Sequence, residues 1–282
     1  MNHRPARGIA VVTIVAMLML ASLAVQAPER ASADVLSCGD TVTTSVKLTA
    51  DIVGCFNGPA ALVVGADNIT IDGGGHTLSG GNVFSGILVS GHRNVRIKNV
   101  RIETFCFGIE IQDSVGISIT DVHIQGTACA LVSVTMSERV SLSKSTLVGS
   151  GGGGVRIETS TGVRITSSLV SGADYGFFLI EVDGVRLLKN TAESTYLGNF
   201  ILEDTVDSTL RLNVGRASVF APDFFLDDGS TGNRLAGNVS ESNGTGGFVD
   251  ESAGDGTAGT ANTYQGNTCA TLSTPEGLCQ VQ

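Results

Sequence analysis

The stretch that decides the fold is GILVSGHRNVRIKNVRI, from Gly86 to Ile102. GIEIQDSVGISITDVHI from Gly108 and GVRIETSTGVRITSSLV from Gly154 repeat its pattern. In each stretch apolar residues come in pairs spaced two apart, and polar residues or glycines separate the pairs. A spacing of two is typical of a β-strand, whose successive side chains point to opposite faces. Each stretch therefore predicts three short strands.

The same unit recurs along most of the chain, with steps of 22 to 24 residues between equivalent positions. The leading apolar positions are Ile87, Ile109, Val132, Val155, Phe177, Phe200, Phe224 and Phe248. One unit alone can bury only one face of its strands, whereas stacked units bury a continuous apolar column. A helical repeat would need apolar spacings of three and four, and a β-sandwich would lack the fixed period. The pattern predicts an all-β fold, a single-stranded parallel β-helix of about eight or nine coils.

The six cysteines agree with stacked coils. Cys106 and Cys129 are one period apart, so they would lie roughly 4.8 Å apart in neighbouring coils, within reach of a disulfide. Two buried free thiols are the alternative. An even number of cysteines behind an export-like segment favours disulfides over metal ligation. The pairs predicted from spacing are Cys38–Cys55, Cys106–Cys129 and Cys269–Cys279.

The N-terminus has the features of an export signal. Arg4 and Arg7 precede an apolar run over residues 9–25, and small residues allow cleavage after Ala27 or Ala33. An uncleaved anchor is the alternative, although the run is short for a membrane span. We expect a secreted or cell-surface protein with no membrane segment in its mature form. The predicted organisation is a signal peptide at 1–33, an N-terminal cap at 34–60, the β-helix at 61–251 and a C-terminal cap or tail at 252–282.

The formal net charge is −10. Without residues 1–33 the chain keeps 14 basic and 26 acidic residues, a net charge of −12. A strongly negative surface argues against nucleic acid and anionic membranes as partners, and it disfavours polyanions unless a cation bridges them. The four histidines (His3, His76, His92 and His123) are scattered and form no metal pattern. The sequence predicts no metal site and no cofactor, with Ca²⁺ as the only candidate ion.

The chain resembles the right-handed parallel β-helices of the pectin-lyase-like superfamily. The resemblance is carried by ALVVGADNITIDGGGHTLSG from Ala61 to Gly80 and by NVRIKNVRI from Asn94, and it extends over roughly residues 38–282. It implies the fold but no single function, because this superfamily includes lyases, hydrolases, epimerases, esterases and adhesins.

The catalytic motifs of the superfamily are incomplete here. Asp227-Asp228 matches the Asp-Asp pair of polygalacturonases, but Arg96-Ile97-Lys98 comes before this pair rather than after it, and there is no Gly-His-Gly. Pectate lyases of this type pair an arginine base with calcium-binding carboxylates. The acidic half of this chain offers only Arg211, Arg216 and Arg234 for that role.

The last four coils differ from the first four. One position after the leading residue, an outward row of apolar residues is expected: Phe178, Ile201, Phe225 and Val249. Beside it an acidic row is expected: Glu203, Asp227 and Glu251, with Glu181, Asp204 and Asp228 next to them. Stacked carboxylates repel, so the pKa of one member should rise.

Three interpretations of these rows remain open. In the first, the carboxylates form a glycosidase-like site in which Glu203, Asp227 and Asp228 are catalytic and Phe178, Phe225 and Glu251 bind the sugar. Neighbouring coils would then give nearly the carboxylate separation of a retaining glycosidase. Ca²⁺ could instead lie between two coils, or the carboxylates could form a solvated rim. With no motif intact, the sequence favours a protein that binds a polysaccharide, a cell-surface glycan or another partner, and a polysaccharide-cleaving enzyme is the alternative.

Overall fold

The computed structural model describes residues 36–81, 84–149, 151–241 and 246–282. These residues form short β-strands joined by turns, with one 3-10 helix at Thr257–Gly259. The predicted signal peptide lies outside the described residues. None of the helical structure in the described ranges is long and apolar enough to cross a membrane.

The strands are numbered in chain order. The first fifteen are β1 (Asp40–Val42), β2 (Val46–Lys47), β3 (Ile52–Cys55), β4 (Ala60–Val64), β5 (Thr70–Asp72), β6 (Thr77–Gly80), β7 (Ser85–Ser90), β8 (Arg96–Lys98), β9 (Arg101–Glu103), β10 (Phe107–Gln112), β11 (Ser118–Thr120), β12 (His123–Gln125), β13 (Ala130–Thr135), β14 (Ser141–Ser143) and β15 (Thr146–Val148). The others are β16 (Gly153–Glu158), β17 (Arg164–Thr166), β18 (Leu169–Ser171), β19 (Phe177–Ile180), β20 (Arg186–Leu188), β21 (Thr191–Glu193), β22 (Phe200–Glu203), β23 (Thr209–Arg211), β24 (Val214–Arg216), β25 (Phe224–Leu226), β26 (Arg234–Ala236), β27 (Val239–Glu241), β28 (Phe248–Asp250), β29 (Thr263–Gln265), β30 (Thr268–Cys269) and β31 (Gln280–Val281).

Every third strand joins the same parallel sheet. The first sheet runs β1-β4-β7 and onward to β28, the second runs β2-β5-β8 to β29, and the third runs β3-β6-β9 to β30 and β31. Ten strands in the first sheet correspond to about nine turns of the chain. The predicted parallel β-helix is confirmed. The ranges 34–60 and 252–282 contribute β1–β3 and β29–β31 to the same sheets.

The core is a column of equivalent residues from successive coils. Ile87 pairs with Ile109, and Ile109 with Val132, in a register that is kept into the last coils. From β19 onward the same position holds four fully buried phenylalanines, Phe177, Phe200, Phe224 and Phe248. Their rings stack with centroids 5.1, 4.7 and 4.4 Å apart. The predicted inward column is therefore confirmed.

A buried asparagine ladder fills the corner between the second and third sheets. The Oδ1 atom of Asn213 accepts a hydrogen bond from the Asn190 backbone N–H at 2.9 Å, and Asn238 and Asn267 repeat this for the coils that follow. Ser145 and Ser168 perform the same role in earlier coils. The chain turns sharply here, with Leu212 at φ 55°. Side chains therefore satisfy backbone groups that are buried at the corner.

The three disulfides predicted from spacing are all present. The Cα–Cα distances are 5.3 Å for Cys38–Cys55, 4.7 Å for Cys106–Cys129 and 5.9 Å for Cys269–Cys279. Cys106–Cys129 links adjacent coils next to the first sheet, and the other two lie near the ends of the solenoid.

Candidate functional site

The outward face of the first sheet carries a row of apolar side chains in β19, β22, β25 and β28. We call this row the apolar strip: Phe178, Ile201, Phe225 and Val249, which are paired in register from strand to strand. Phe178, Phe225 and Val249 are partly exposed, whereas Ile201 is only 9% exposed. The loop before β22 covers Ile201, since a Cβ on Gly198 would lie 3.1 Å from its side chain.

Carboxylates line the edge of the apolar strip where the strands end. Glu203 is the last residue of β22, and Asp227 follows β25 in register, because its N–H donates to the Leu202 carbonyl at 3.1 Å. The Glu251 N–H bonds the Leu226 carbonyl at 2.9 Å in the same way. Glu203 and Asp227 are half-buried, and Asp228 and Glu251 are exposed. The structure thus brings Glu203 and Asp227 together on neighbouring coils.

Glu203 and Asp227 have different environments. Burial, and then the charges of Asp227 and Asp204, raise the pKa of Glu203 above its ordinary value. The Asp227 carboxylate accepts hydrogen bonds from the Asp204 N–H at 3.1 Å and from the Ser230 hydroxyl at 2.7 Å, so the local turn fixes its orientation. A carboxyl with a raised pKa next to a carboxylate of fixed orientation is an arrangement that acid–base chemistry can use.

Aromatic side chains line the opposite edge of the apolar strip, in the loops that precede the strands. Tyr196 and Phe220 contact edge to face with centroids 4.5 Å apart and are 52% and 60% exposed. Tyr175 contacts Phe178 in the same manner at 5.2 Å. The sequence reasoning missed these three residues. The available signal was their recurrence two to four residues before Phe177, Phe200 and Phe224.

Asp250, another acidic residue of the last coils, is buried at the C-terminal end of the core. It occupies the inward position held by Leu226 in the preceding coil. It accepts hydrogen bonds from the Tyr264 hydroxyl at 2.8 Å, the Asn262 amide at 3.0 Å and the Ser252 hydroxyl at 2.6 Å. Burial, and then Asp250, raise the pKa of Tyr264. This cluster closes the apolar column rather than opening toward a ligand.

Metal-binding side chains are dispersed in the described ranges. No group of three or more His, Cys, Asp or Glu residues there could hold a metal ion. All six cysteines form disulfides. His76 and His92 each bond one carboxylate, Asp51 at 3.0 Å and Asp67 at 3.1 Å. Ca²⁺ between two coils, one of the three interpretations of the acidic row, therefore stays a hypothesis.

Solved structures with a similar fold include a phage tailspike protein with a bound pentasaccharide and a bacterial surface adhesin. A mutant tailspike protein of E. coli bacteriophage HK620, in complex with a pentasaccharide, is similar at a TM-score of 0.61 and 12% identity over 83% of this chain. The alignment covers 51% of the tailspike, so this chain spans about half its length. PfbA, a surface adhesin of Streptococcus pneumoniae, is similar at a TM-score of 0.53 and 11% identity, over 83% of this chain and 75% of PfbA. At these identities the likeness shows the fold alone.

Comparison of the sequence with known proteins and protein families identifies one family. Among curated proteins none matches this sequence. The family model of the periplasmic copper-binding protein NosD matches residues 67–214 and again residues 132–276. The described donors do not fit a copper site, because no three of the His, Cys, Asp and Glu residues there are grouped to hold a metal ion and all six cysteines are bound in disulfides. The two matches nevertheless span most of the β-helix, and the chain belongs to the NosD family.

Proposed function

We propose that the protein is an exported carbohydrate-binding β-helix protein that holds a polysaccharide along the apolar strip. The observation that carries this proposal is the strip's position between an aromatic edge (Tyr196, Phe220) and a carboxylate edge (Glu203, Glu251). A sugar ring has apolar C–H faces and polar hydroxyl edges. Aromatic faces pack on the former, and carboxylates accept hydrogen bonds from the latter.

The shape of the face suits a chain rather than a single sugar. The strip crosses four coils, which places its ends roughly 14 Å apart at the spacing of parallel strands. Its residues lie on strands, whose backbone hydrogen bonds keep them fixed, so little order is lost when a ligand binds. The tailspike with a pentasaccharide and the adhesin PfbA, which share the fold, agree with a glycan as the partner.

Export is the second part of the proposal. Three disulfides form readily only outside the reducing cytosol. The predicted signal at residues 1–33 and the periplasmic location stated for the family support the same compartment. The cleavage site can be read by N-terminal sequencing of the exported protein, with Pro28 or Asp34 as the expected first residue.

Affinity electrophoresis tests the binding. The purified protein is run through native gels that contain neutral polysaccharides such as dextran, mannan, xylan or β-glucan. We expect one of them to retard the wild-type protein, and Phe225→Ala and Tyr196→Ala to restore its mobility. Phe56→Ala removes an aromatic that is 63% exposed in the first coil and serves as the matched control. Equal mobility of all variants in every gel would refute binding at this face.

A second candidate function is polysaccharide hydrolysis, which the raised pKa of Glu203 favours. Glu203 would donate a proton to the leaving oxygen. Asp227 lies on the neighbouring coil, and adjacent strands are roughly 4.8 Å apart. Its carboxylate would be the nucleophile, as in a retaining glycosidase. The test is release of reducing ends from any polysaccharide that the protein binds. Loss of release in Glu203→Gln with retained binding would support it. Undiminished release in the Asp227→Asn, Asp228→Asn double variant would contradict the assignment.

A further inference from the structure

The second sheet carries an unusual outward face in its later strands. In β17, β20, β23, β26 and β29 none of the outward residues is acidic, and four are arginines, although the chain has 27 acidic and 17 basic residues. The outward residues are Arg164, Thr166, Arg186, Leu188, Thr209, Arg211, Arg234, Ala236, Thr263 and Gln265. The negative charge of the protein is therefore unevenly distributed, and this face is locally positive.

Within the ranges that the structure describes, no carboxylate lies within ion-pair distance of Arg164, Arg186, Arg211 or Arg234, whereas Arg216 on the third sheet bonds both Glu193 and Glu241. All four are exposed. Arg164 and Arg186 even lie directly opposite each other in neighbouring strands. Like charges in that position destabilise a sheet, so the arrangement is not explained by folding.

The arginines surround a groove. Arg186, Arg211 and Arg234 line a cavity of about 680 Å³ together with the small residues Thr209 and Ala236. The space exists because these short side chains alternate with long arginines. A smaller cavity of about 160 Å³ adjoins it through Arg186 and Arg211 and extends it to Arg164. Across five strands the groove is roughly 19 Å long at the usual strand spacing.

One guanidinium is already oriented. The Nη2 atom of Arg234 donates a hydrogen bond to Gln265 Oε1 at 2.7 Å. This contact holds the planar group at the groove while most of its other donors stay available. Arginine presents paired donors that match carboxylate and sulfate oxygens. The groove therefore combines positive charge, donor geometry and length.

We propose that this arginine groove binds an acidic polysaccharide, one whose sugar units carry carboxylate or sulfate groups. Its length fits repeated anionic groups better than a single small anion. No aromatic residue lines either cavity, so the groove lacks the stacking platforms with which proteins hold single-stranded nucleic acid. The site is separate from the apolar strip and does not depend on the function proposed there.

The test is titration of the full mature protein with dextran sulfate and polygalacturonate, with uncharged dextran as the ligand control. We expect the first two to bind, with an affinity that falls as salt rises. The variant Arg186→Gln/Arg211→Gln/Arg234→Gln should lose about tenfold or more in affinity, since three charge-assisted contacts disappear. The matched variant Arg101→Gln/Lys144→Gln/Arg139→Gln changes the net charge equally on exposed residues elsewhere and should bind nearly as well as wild type.

Several results would overturn the proposal. Equal losses in the two triple variants would mean that only the total charge matters. Tighter binding to single-stranded DNA or to phosphatidylglycerol vesicles than to both acidic polysaccharides would assign the groove to another partner. Phe178→Ala/Phe225→Ala should leave polyanion binding unchanged. A loss there would show that the polyanion occupies the apolar strip instead, and circular dichroism of each variant would establish that it is folded.

Discussion

Replacing Asn213 with alanine should destabilise the protein strongly, although no apolar contact of the core is removed. Asn213 is fully buried. Its Oδ1 accepts the Asn190 N–H at 2.9 Å, and its Nδ2 donates to the Leu187 carbonyl at 3.0 Å. Asn213→Ala removes both partners, while the Asn213 backbone N–H still bonds Asn238.

The magnitude follows from one backbone group that is orphaned and one that loses its second hydrogen bond. The buried Asn190 N–H left without a partner costs about 1–3 kcal/mol, and the bond to the Leu187 carbonyl, which still pairs within the sheet, is worth about 1 kcal/mol. The expected loss is therefore about 2–4 kcal/mol. Asn213→Ser is the matched control, because Ser145 and Ser168 accept the equivalent N–H in earlier coils. The serine variant should recover part of the loss, since it can keep the bond to Asn190.

The assay is urea unfolding followed by far-UV circular dichroism at neutral pH. The expected order of stability is wild type, then Asn213→Ser, then Asn213→Ala. A loss below about 1 kcal/mol in Asn213→Ala would refute the reasoning, because it would equal a single ordinary hydrogen bond. Identical losses in the serine and alanine variants would also refute it, since the hydroxyl would then contribute nothing.

Three further predictions concern the core, the carboxylates and the disulfides. Phe224→Ala should cost about 3–5 kcal/mol in urea unfolding, because it opens a cavity between two stacked rings, and Phe224→Leu should cost clearly less. Because the pKa of Glu203 is raised, the fold favours the neutral form of its side chain. The stabilisation from this group is therefore fully present at pH values below the ordinary glutamate pKa of 4.5, and it is lost as the pH rises through the raised pKa. Glu203→Gln should therefore melt higher than wild type at pH 7 and equally at pH of about 3, and an equal difference at both pH values would contradict this. Cys106→Ser/Cys129→Ser should lose about 3 kcal/mol, because the bridge closes a loop with a separation of 23 residues, and unchanged stability would show that the bond adds nothing to the stacked strands.

The sequence predicted the fold because the inward-facing residues of each coil are apolar and recur at a fixed period. Ile87, Ile109 and Phe177 must be apolar to fill a shared column, and their spacing measures the length of a coil. The disulfide Cys106–Cys129 followed from the same period. The acidic and apolar rows at Glu203 and Phe225 also followed, since register fixes which residues become neighbours.

The parts that escaped prediction depend on exceptions to residue-type rules. Asn190 and Asn213 would normally be assigned to exposed turns, yet they are fully buried at a corner where backbone groups need partners. Tyr196 and Phe220 lie in loops of variable length, outside the regular strand pattern. Arg164 and Arg186 occupy equivalent positions of neighbouring coils, but a net charge of −10 argues against anionic ligands and does not reveal a locally positive face.

The most direct test of the central claim is a glycan-array measurement with the mature wild-type protein and the Phe178→Ala/Phe225→Ala variant side by side. If the apolar strip holds a polysaccharide, the wild type will bind a defined set of glycans and the variant will lose those signals while remaining folded by circular dichroism. Equal binding by both proteins, or no binding by the wild type to any glycan, would contradict the claim.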